Sequence, residues 1–242
     1  MCFKIIISRA LYSLIVIIGC MFCIGCELDN MDAPGCHIYG KVGYRNAEGN
    51  FVPIGVKGSG SGNLSRQVVM EIWQAGFGKE AAQEMNVGQD GAFSSYVYPG
   101  KIRLIPKSGT GPWSRADTVR VDVKDDTYVE FEVKPYFAIN DAQYRFNTKD
   151  SVLSVSFDWK KIDSEANIAS IGVLFNERQF VDLSYNNYTY PISGVSEGRV
   201  KVDVPLKKIS EVSGRRSLYA RVFIKSKEST EAVYSTMVFK LW

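Results

Sequence analysis

Three closely spaced cysteines offer the first candidate chemistry in this 242-residue chain. Cys20, Cys23 and Cys26 lie at the end of an apolar run, and the last two form a C-x-x-C pair. A thioredoxin-like redox pair stands between a strand and a helix of a folded domain, whereas this pair lies in an apolar leader. A zinc site would need a second pair of ligands, which the sequence does not offer. The pattern therefore favours neither redox chemistry nor a metal site, and we expect no cofactor.

The residues before these cysteines have the layout of a secretory signal. Lys4 and Arg9 are the only charges before Glu27, and the apolar run occupies residues 11–25. A helix needs about 20 apolar residues to cross a bilayer, so this run is short for a membrane span. No positively charged flank follows the run directly, and acidic residues begin at Glu27 instead. The positive start, apolar middle and small residue before the break predict that residues 1–25 form a signal peptide.

A bacterial lipoprotein signal ends in a small residue followed by the cysteine that becomes lipidated. Cys20 and Cys26 each follow a glycine. We expect lipid on Cys26, because the apolar run stops there and lipidation of Cys20 would leave an apolar start to the mature protein. Cys20 is the alternative, and a cleaved signal without lipid or an uncleaved anchor is a further one.

Nucleophilic catalysis would have to use His37, the only histidine. It follows Cys36, but neighbours on a strand point to opposite faces, so the two side chains would not meet. The sequence has no G-x-S-x-G elbow for a serine nucleophile. The glycine-rich residues 58–62 lack the Gly-Lys-Ser/Thr end of a phosphate loop and are typical of a flexible loop.

Paired carboxylates could hydrolyse glycosides, but the acidic residues are spread thinly. We interpret Asp125-Asp126 as a turn and place Glu80 and Glu84 on the solvated face of a helix-like stretch, Lys79 to Met85. This stretch is too short to stand alone and is expected in a loop. No pair of acids is placed across a pocket by the pattern, so we expect no catalytic residue and no enzyme activity.

Aromatic side chains are plentiful, at 12 % of the chain, and exposed ones could pack on the apolar face of a sugar ring. Trp159 falls on the apolar face of its predicted strand and is expected in the core. Trp73 shares the side of Glu71, and Trp113 lies in a loop with no strand pattern. Tyrosines crowd a second loop. The candidate contacts to glycan or to a protein partner are Trp113, Trp73, Tyr185, Tyr188 and Tyr190.

Composition and charge limit the classes of partner. The leader carries two positive charges, so its removal lowers the formal net charge from +3 to about +1. Nucleic-acid binding would show a basic stripe, and we expect none. After lipidation of Cys26, only Cys36 keeps a free thiol, so no internal disulfide can form. Stability must then come from packing.

The period-two alternation of apolar and polar residues predicts β-structure throughout the mature chain. Residues 119–123 and 129–133 alternate in this way, and Asp125-Asp126 between them predicts a hairpin. Asp90-Gly91 predicts a second hairpin. A second set of alternating segments begins after Pro135, a residue that cannot donate to a strand ladder. We therefore predict an all-β protein with a tether at 26–35 and two β-sandwich domains at 36–136 and 137–242.

Ordered elements of the first half give it a resemblance to a known fold. They are Gly40-Lys41-Val42, Gln89-Asp90-Gly91-Ala92-Phe93 and Tyr98-Pro99-Gly100-Lys101-Ile102. This half resembles a transthyretin-like (carboxypeptidase regulatory-like) β-sandwich.

A larger set of residues resembles one family across the whole mature chain. The set is Cys26-Glu27-Leu28-Asp29-Asn30, Asp32-Ala33-Pro34, and Val129-Glu130-Phe131-Glu132-Val133 leading into Pro135-Tyr136. It resembles Bacteroidota lipoproteins whose domains carry an unknown-function label and whose genes accompany starch-utilisation-like transporters in polysaccharide-utilisation loci. The resemblance implies a transthyretin-like domain followed by an immunoglobulin- or fibronectin-like domain, and it supplies no ligand residues. Cys23 and the residues around 57–63 depart from the usual pattern.

The resemblance and the leader together imply a lipid-anchored protein of the outer membrane, facing the cell surface. We expect a non-catalytic accessory in polysaccharide capture that binds polysaccharide or oligosaccharide and works with an outer-membrane transporter complex. The alternative is a scaffolding lipoprotein that docks on the transporter and binds no sugar.

Overall fold

The computed structural model describes residues 32–58, 68–76, 81–212 and 214–242. The predicted signal peptide, Cys26 as the lipid site, the Cys20 alternative and most of the tether lie outside the described residues. Within the described part of the chain, no helix is both long and apolar enough to span a membrane. Residues from Pro34 to Trp242 form one compact unit.

Nine strands lie in the described residues of the N-terminal domain. They are β1 (Cys36–Arg45), β2 (Phe51–Pro53), β3 (Val69–Gln74), β4 (Ala82–Asn86), β5 (Ala92–Val97), β6 (Gly100–Pro106), β7 (Trp113–Ala116), β8 (Val119–Val123) and β9 (Thr127–Pro135). One sheet has the order β2-β1-β9-β7, and β5 pairs with β1 beside β2. The other sheet has the order β4-β3-β6-β8. The inner faces of both sheets contribute to one hydrophobic core.

In the C-terminal domain, the part that the structure describes contains eight strands. They are β10 (Phe137–Asn147), β11 (Val152–Lys161), β12 (Ile168–Asn176), β13 (Tyr188–Pro191), β14 (Gly198–Pro205), β15 (Tyr219–Ser226), β16 (Ala232–Tyr234) and β17 (Phe239–Lys240), with a 3₁₀ turn at Leu206–Lys208. One sheet is β10-β11-β14, and the other is β13-β12-β15-β16 with β17 also on β15. The first, second and fifth strands of this domain therefore form one sheet, and the remaining strands form the sheet that faces it across the core. This division of the strands between two sheets is immunoglobulin-like. The all-β, two-domain prediction is confirmed.

The alternation that predicted the strands also predicted their buried faces. Val129, Phe131 and Val133 on β9 are buried, and the residues between them are exposed. Trp159 on β11 is buried in the C-terminal core, as predicted. Since β9 ends at Pro135 and β10 begins at Phe137, a single residue connects the two domains.

Three local predictions are wrong. Of the helix-like stretch predicted at residues 79–85, the described residues from Ala82 onward lie on strand β4 (Ala82–Asn86), which pairs along the edge of β3. The strands on either side of Asp125-Asp126 do not form a hairpin, since β8 pairs with β6 and β9 pairs with β1 in the opposite sheet. Asp90-Gly91 lies in a tight turn before β5, but the strand before it, β4, pairs with β3 instead.

The two domains meet around a fully buried arginine. Arg221 on β15 donates through Nη1 to the carbonyl oxygens of Val56, at 3.0 Å, and Val181, at 3.2 Å. Its Nε donates to the carbonyl of Ser235 at 2.9 Å, and its guanidinium lies 4.6 Å from the ring centroid of Tyr234. Burial lowers the pKa of Arg221 to about 10, which leaves the side chain charged at neutral pH. Val56 belongs to the N-terminal domain, so this charge links the two sandwiches.

Candidate functional site

Four rings lie side by side on the outer face of the first N-terminal sheet. We call His37, Tyr39, Tyr96 and Tyr128 the aromatic platform. The centroid of the His37 ring lies 5.1 Å from those of Tyr39 and Tyr96. The Tyr39 and Tyr128 centroids are 5.5 Å apart, with the rings edge to face. The contacts form one continuous row that crosses three strands.

Strand pairing explains why these rings meet. On β1, Ile38 and Val42 point into the core, so His37 and Tyr39 point outward. His37 lies opposite Tyr96 on the antiparallel neighbour β5, and Tyr39 lies opposite Tyr128 on the parallel neighbour β9. Directly opposed residues on one face are close enough for ring contact. Three strands from distant parts of the sequence thus assemble the platform.

The platform is open to solvent. Tyr96 is 63 % exposed, Tyr128 51 % and Tyr39 40 %. Single exposed aromatic residues are common on protein surfaces, but contiguous apolar patches usually mark a binding site. Tyrosine rings also lose little conformational entropy on binding and carry a polar tip. The platform is therefore suited to contact a ligand that has both apolar and polar groups.

Polar side chains border the rings. Ser94 lies opposite Tyr39 on β5 and is exposed on the same face as Tyr96. Lys41, two residues beyond Tyr39, forms an ion pair of 3.6 Å with Asp90. These groups can donate to or accept hydrogen bonds from hydroxyl groups of a ligand that stacks on the rings.

Acidic groups also lie along the β1–β9 pair. The backbone N–H of His37 donates to Oδ1 of Asp126 at 2.9 Å, which fixes the start of β1. Glu130 accepts from Arg45 at 2.7 Å. Flat rings with a mixed polar border match what a pyranose offers, which is an apolar C–H face surrounded by hydroxyls.

Cys36 and His37 lie on opposite faces of β1, as their adjacency predicted. The Cys36 thiol is buried and lies 3.6 Å from the carbonyl oxygen of Lys124, and His37 belongs to the platform. Among residues 32–58, 68–76, 81–212 and 214–242, no three His, Cys, Asp or Glu side chains are arranged to hold a metal ion.

Trp113 was predicted in a loop, and that assignment is wrong. It is the first residue of β7, lies opposite Pro135 on β9, and packs partly buried against the N-terminal core. The residues before Trp113 have the composition of a loop, so the sequence did not indicate this short strand.

The predicted tyrosine loop is also partly strand. Tyr188 and Tyr190 lie on β13, opposite Phe175 and Val173, and pack half-buried against the C-terminal core. Tyr185 is half-buried in a turn, where its backbone N–H donates to Oδ1 of Asp182 at 2.9 Å. The structure therefore does not gather these three residues into an exposed aromatic surface.

Trp73, which the sequence also proposed as a ligand contact, lies on an accessible outer face of its sheet. It lies half-buried on β3, and its Nε1 donates to Oε2 of Glu71 at 3.0 Å, which agrees with their predicted shared side. The guanidinium carbon of Arg103 lies 5.7 Å from the ring centroid. Trp73 belongs to the sheet opposite the platform, so the N-terminal domain has aromatic residues on both outer faces.

Sequence reasoning missed the platform residues. Each follows or precedes a core residue, namely Ile38, Val97 or Val129, so the alternation does place each one outward. The alternation cannot show that β1 lies between β5 and β9, and only that order brings the four rings together.

Comparisons with known proteins place the chain among relatives of unknown function. Residues 37–134 match the family described as "Protein of unknown function (DUF3823) N-terminal domain", and residues 137–239 match "Domain of unknown function (DUF3823_C)". No curated protein is significantly similar to the chain.

Solved structures share the fold. A DUF3823 family protein from Parabacteroides merdae is 30 % identical, with a TM-score of 0.71 over 87 % of this chain and 100 % of that one. A DUF3823 family protein from Bacteroides ovatus is 22 % identical, with a TM-score of 0.68 over 85 % of this chain and 97 % of that one. A proposed carbohydrate-binding protein from Bacteroides uniformis is 14 % identical, with a TM-score of 0.60 over 86 % of this chain and 100 % of that one.

Proposed function

The chain belongs to the DUF3823 family, and from the aromatic platform on its N-terminal domain we propose that it is a non-catalytic glycan-binding protein. The observation that carries the proposal is the continuous row of rings formed by His37, Tyr39, Tyr96 and Tyr128, in which the three tyrosines are exposed. Pyranose rings stack their C–H faces on such rings, and the bordering polar groups select hydroxyl positions. The description of the Bacteroides uniformis protein, which shares the fold, is compatible with this activity.

The proposal includes a place for the protein in the cell. The leader pattern and the resemblance to lipoproteins of polysaccharide-utilisation loci support lipid on Cys26 and attachment to the outer membrane at the cell surface. In that place the protein serves as an accessory to polysaccharide capture and works beside a starch-utilisation-like transporter. The transthyretin-like and immunoglobulin-like assignments of the domains belong to the same resemblance.

A scaffolding lipoprotein that binds no sugar is the second candidate. The same exposed tyrosines favour it, because tyrosine is enriched at protein–protein interfaces. In that case the platform contacts a membrane protein, and the chain co-purifies with that protein without affinity for glycans.

The direct test is retardation of the protein beginning at Glu27 in native gels that contain one polysaccharide each. We expect one glycan to retard it. The double substitution Tyr39→Ala and Tyr96→Ala should abolish retardation without changing the far-UV circular dichroism. Trp242→Ala, which removes an aromatic residue that is 37 % exposed outside the platform, is the matched control and should bind normally.

Failure of every glycan in a broad panel would overturn the proposal and favour the scaffold. Cross-linking in cells and purification under mild detergent would then identify the membrane partner. Loss of that partner in the Tyr39→Ala, Tyr96→Ala protein would assign the platform to protein binding.

The anchor has a separate test. In cells fed a labelled fatty acid, Cys26→Ala should abolish labelling of the chain, and Cys20→Ala should leave it. Labelling that survives Cys26→Ala and is lost in Cys20→Ala would move the lipid site to Cys20.

A further inference from the structure

A polar cleft of about 430 Å³ lies where the two sandwiches meet, and we call it the junction cleft. Its N-terminal wall comes from β1, β2 and the turn between them. Its C-terminal wall comes from β10, the end of β11 and the residues after β16. Ligand sites occur preferentially at domain interfaces, so the junction cleft is a candidate binding site.

Contacts across the junction hold the two walls in place. Nδ2 of Asn140 on β10 donates to the hydroxyl of the buried Tyr44 on β1 at 3.2 Å. The backbone N–H of Tyr234 donates to the carbonyl oxygen of Gly55 at 3.0 Å. The two backbones approach so closely that a Cβ atom at Gly55 would lie 2.4 Å from the carbonyl oxygen of Tyr234. The cleft is therefore already formed, and a ligand need not order its walls on binding.

The mouth of the cleft carries hydrogen-bonding groups that are not in use. Glu48, Lys160 and Thr236 are exposed, and none of their side chains bonds or forms an ion pair with another residue that the structure describes. Glu48 lies on the N-terminal wall, whereas Lys160 and Thr236 lie on the C-terminal wall. A carboxylate accepts, an ammonium donates, and a hydroxyl does both. A ligand rich in hydroxyl groups can satisfy all three.

The charges that line the cleft are balanced. The charged lining residues are Lys41, Lys160, Glu48 and Asp141. Lys41 forms an ion pair with Asp90, and Asp141 forms one with Arg199, which also pairs with Asp158. These partners add one positive and two negative charges, so the cleft has no excess of positive charge that would favour an anion. The ligand class that fits is neutral and hydroxyl-rich.

The junction cleft continues from the aromatic platform along β1. His37, Tyr39 and Lys41 alternate with core residues and share the outer face of that strand. Lys41 also lines the cleft. At about 3.3 Å per residue, Tyr39 and Lys41 are separated by about 7 Å along the strand. A linear molecule that lies on Tyr39 therefore needs only a short extension along β1 to enter the cleft.

We infer that the junction cleft binds the further units of a neutral oligosaccharide chain whose first units stack on the platform. The hydroxyl groups of those further units donate to Glu48, accept from Lys160 and bond with Thr236. Ring stacking on the platform tolerates many sugars, whereas a site that hydrogen-bonds hydroxyl groups rejects molecules that lack them in the right places. The cleft thus selects for the length and linkage of the chain. This inference rests on the proposed function and extends it to the ligand class.

The test is calorimetry of the protein beginning at Glu27 with matched short and long sugars. The probes are maltose and maltohexaose, cellobiose and cellohexaose, and xylobiose and xylohexaose. A disaccharide can occupy the platform alone, whereas a hexasaccharide reaches the cleft. For the glycan type that binds, we expect the hexasaccharide to bind about tenfold more tightly or more, as two or three additional net hydrogen bonds would give.

The double substitution Lys160→Met and Thr236→Val removes the unused groups of the C-terminal wall and keeps the size of both side chains. It should weaken hexasaccharide binding about tenfold and leave disaccharide binding unchanged. Glu48→Ala tests the opposite wall and should weaken the hexasaccharide about threefold or more. Lys208→Met with Thr148→Val makes the same changes at exposed positions outside the cleft and is the matched control. Thermal melting checks the fold of each variant.

The outcomes separate the cleft from the platform. A hexasaccharide advantage that is lost in the Lys160→Met, Thr236→Val protein but kept in the control supports the junction cleft. The inference is overturned, and the proposed function stands, if hexasaccharides bind no more tightly than disaccharides or if the cleft variant matches its control. The same holds if the polysaccharide that retards the parent in gels retards the cleft variant equally, or if only acidic polysaccharides retard the parent. If no sugar and no polysaccharide binds, both fail.

Discussion

Arg221 in the C-terminal sandwich donates a 3.0 Å hydrogen bond to the carbonyl oxygen of Val56 in the N-terminal sandwich. The same guanidinium also donates to the carbonyl of Gln89, another residue of the N-terminal domain. A buried charge is tolerated only where its donors are satisfied, so the two backbones must hold their positions for Arg221 to stay buried. The side chain thereby fixes the orientation of one domain against the other.

Removal of this charge should destabilise the protein strongly. Arg221→Met keeps most of the packing volume but leaves the carbonyl oxygens of Val56, Val181 and Ser235 buried without their donor. We expect the free energy of unfolding to fall by about 3–5 kcal/mol, as for loss of one partner from a buried charged network. Urea denaturation measures it, with Arg216→Met as the exposed control, expected within about 0.5 kcal/mol of the parent.

A loss below about 1 kcal/mol in Arg221→Met would show that water reaches the junction and replaces the donors. The junction would then be a loose contact between domains.

A charged pair also crosses this junction. Nζ of Lys57 lies 3.5 Å from Oε1 of Glu231, and their side chains are 6 % and 16 % exposed. Burial raises the pKa of Glu231, and Lys57 opposes that rise. Lys57→Met should therefore raise this pKa further and cost about 2 kcal/mol at pH 7, less than for a fully buried pair. Because Glu231 accepts a proton as the pH falls, the cost of Lys57→Met should shrink in acid.

A double-mutant cycle measures the pair at pH 7. Lys57→Met combined with Glu231→Gln should recover most of the lost stability, because no unpaired charge remains. If the two single changes simply add, Lys57 and Glu231 do not interact.

The glycine beneath the platform is required by close approach of the backbone. A Cβ atom at Gly40 would lie 1.9 Å from the carbonyl oxygen of Val129 and 2.7 Å from the ring of Phe93. Gly40→Ala must therefore move β1 away from β9, at a cost of about 3 kcal/mol or more. Gly35→Ala has nothing within 4 Å and should leave the thermal midpoint unchanged. Equal midpoints for the two variants would show that β1 and β9 are not packed this closely.

The alternation of apolar and polar residues correctly predicted those features of the fold that depend on a single strand. The alternation around Val129 and the burial of Trp159 follow from period-two geometry alone, and both are observed. The β8–β9 hairpin was predicted from the turn between those strands. In the structure the chain instead passes from one sheet to the other at this turn, and Val123 and Val129 are buried in the same core from opposite sides. Turn residues mark where a strand ends and do not decide its partner.

The candidate site was harder to predict because its contacts are non-local. Tyr39 and Tyr128 are brought together by a parallel pairing of strands far apart in sequence. No short motif encodes such a pairing. Trp73 could be placed on an outer face from its neighbour Glu71, whereas Trp113 could not be placed, because a four-residue strand shows too few alternations.

The acid stability of the C-terminal domain should depend on Glu228. Its carboxylate accepts hydrogen bonds from the backbone N–H of Asn167 at 3.0 Å, from the hydroxyl of Ser226, and from Nδ2 of Asn167 at 2.9 Å. These donors lower the pKa of Glu228 from 4.5 to about 2. A carboxyl with a lowered pKa stabilises the fold above its unfolded pKa and loses that contribution as the pH falls through the folded value.

Glu228→Gln should therefore be less stable than the parent at pH 7, and the difference should shrink between about pH 4.5 and pH 2. Urea denaturation across this range measures both proteins, and Glu48→Gln, at an exposed glutamate, should show no such convergence. A difference that stays constant from pH 7 to pH 2 would mean that the amide replaces the carboxylate as an acceptor, and that the charge of Glu228 contributes nothing.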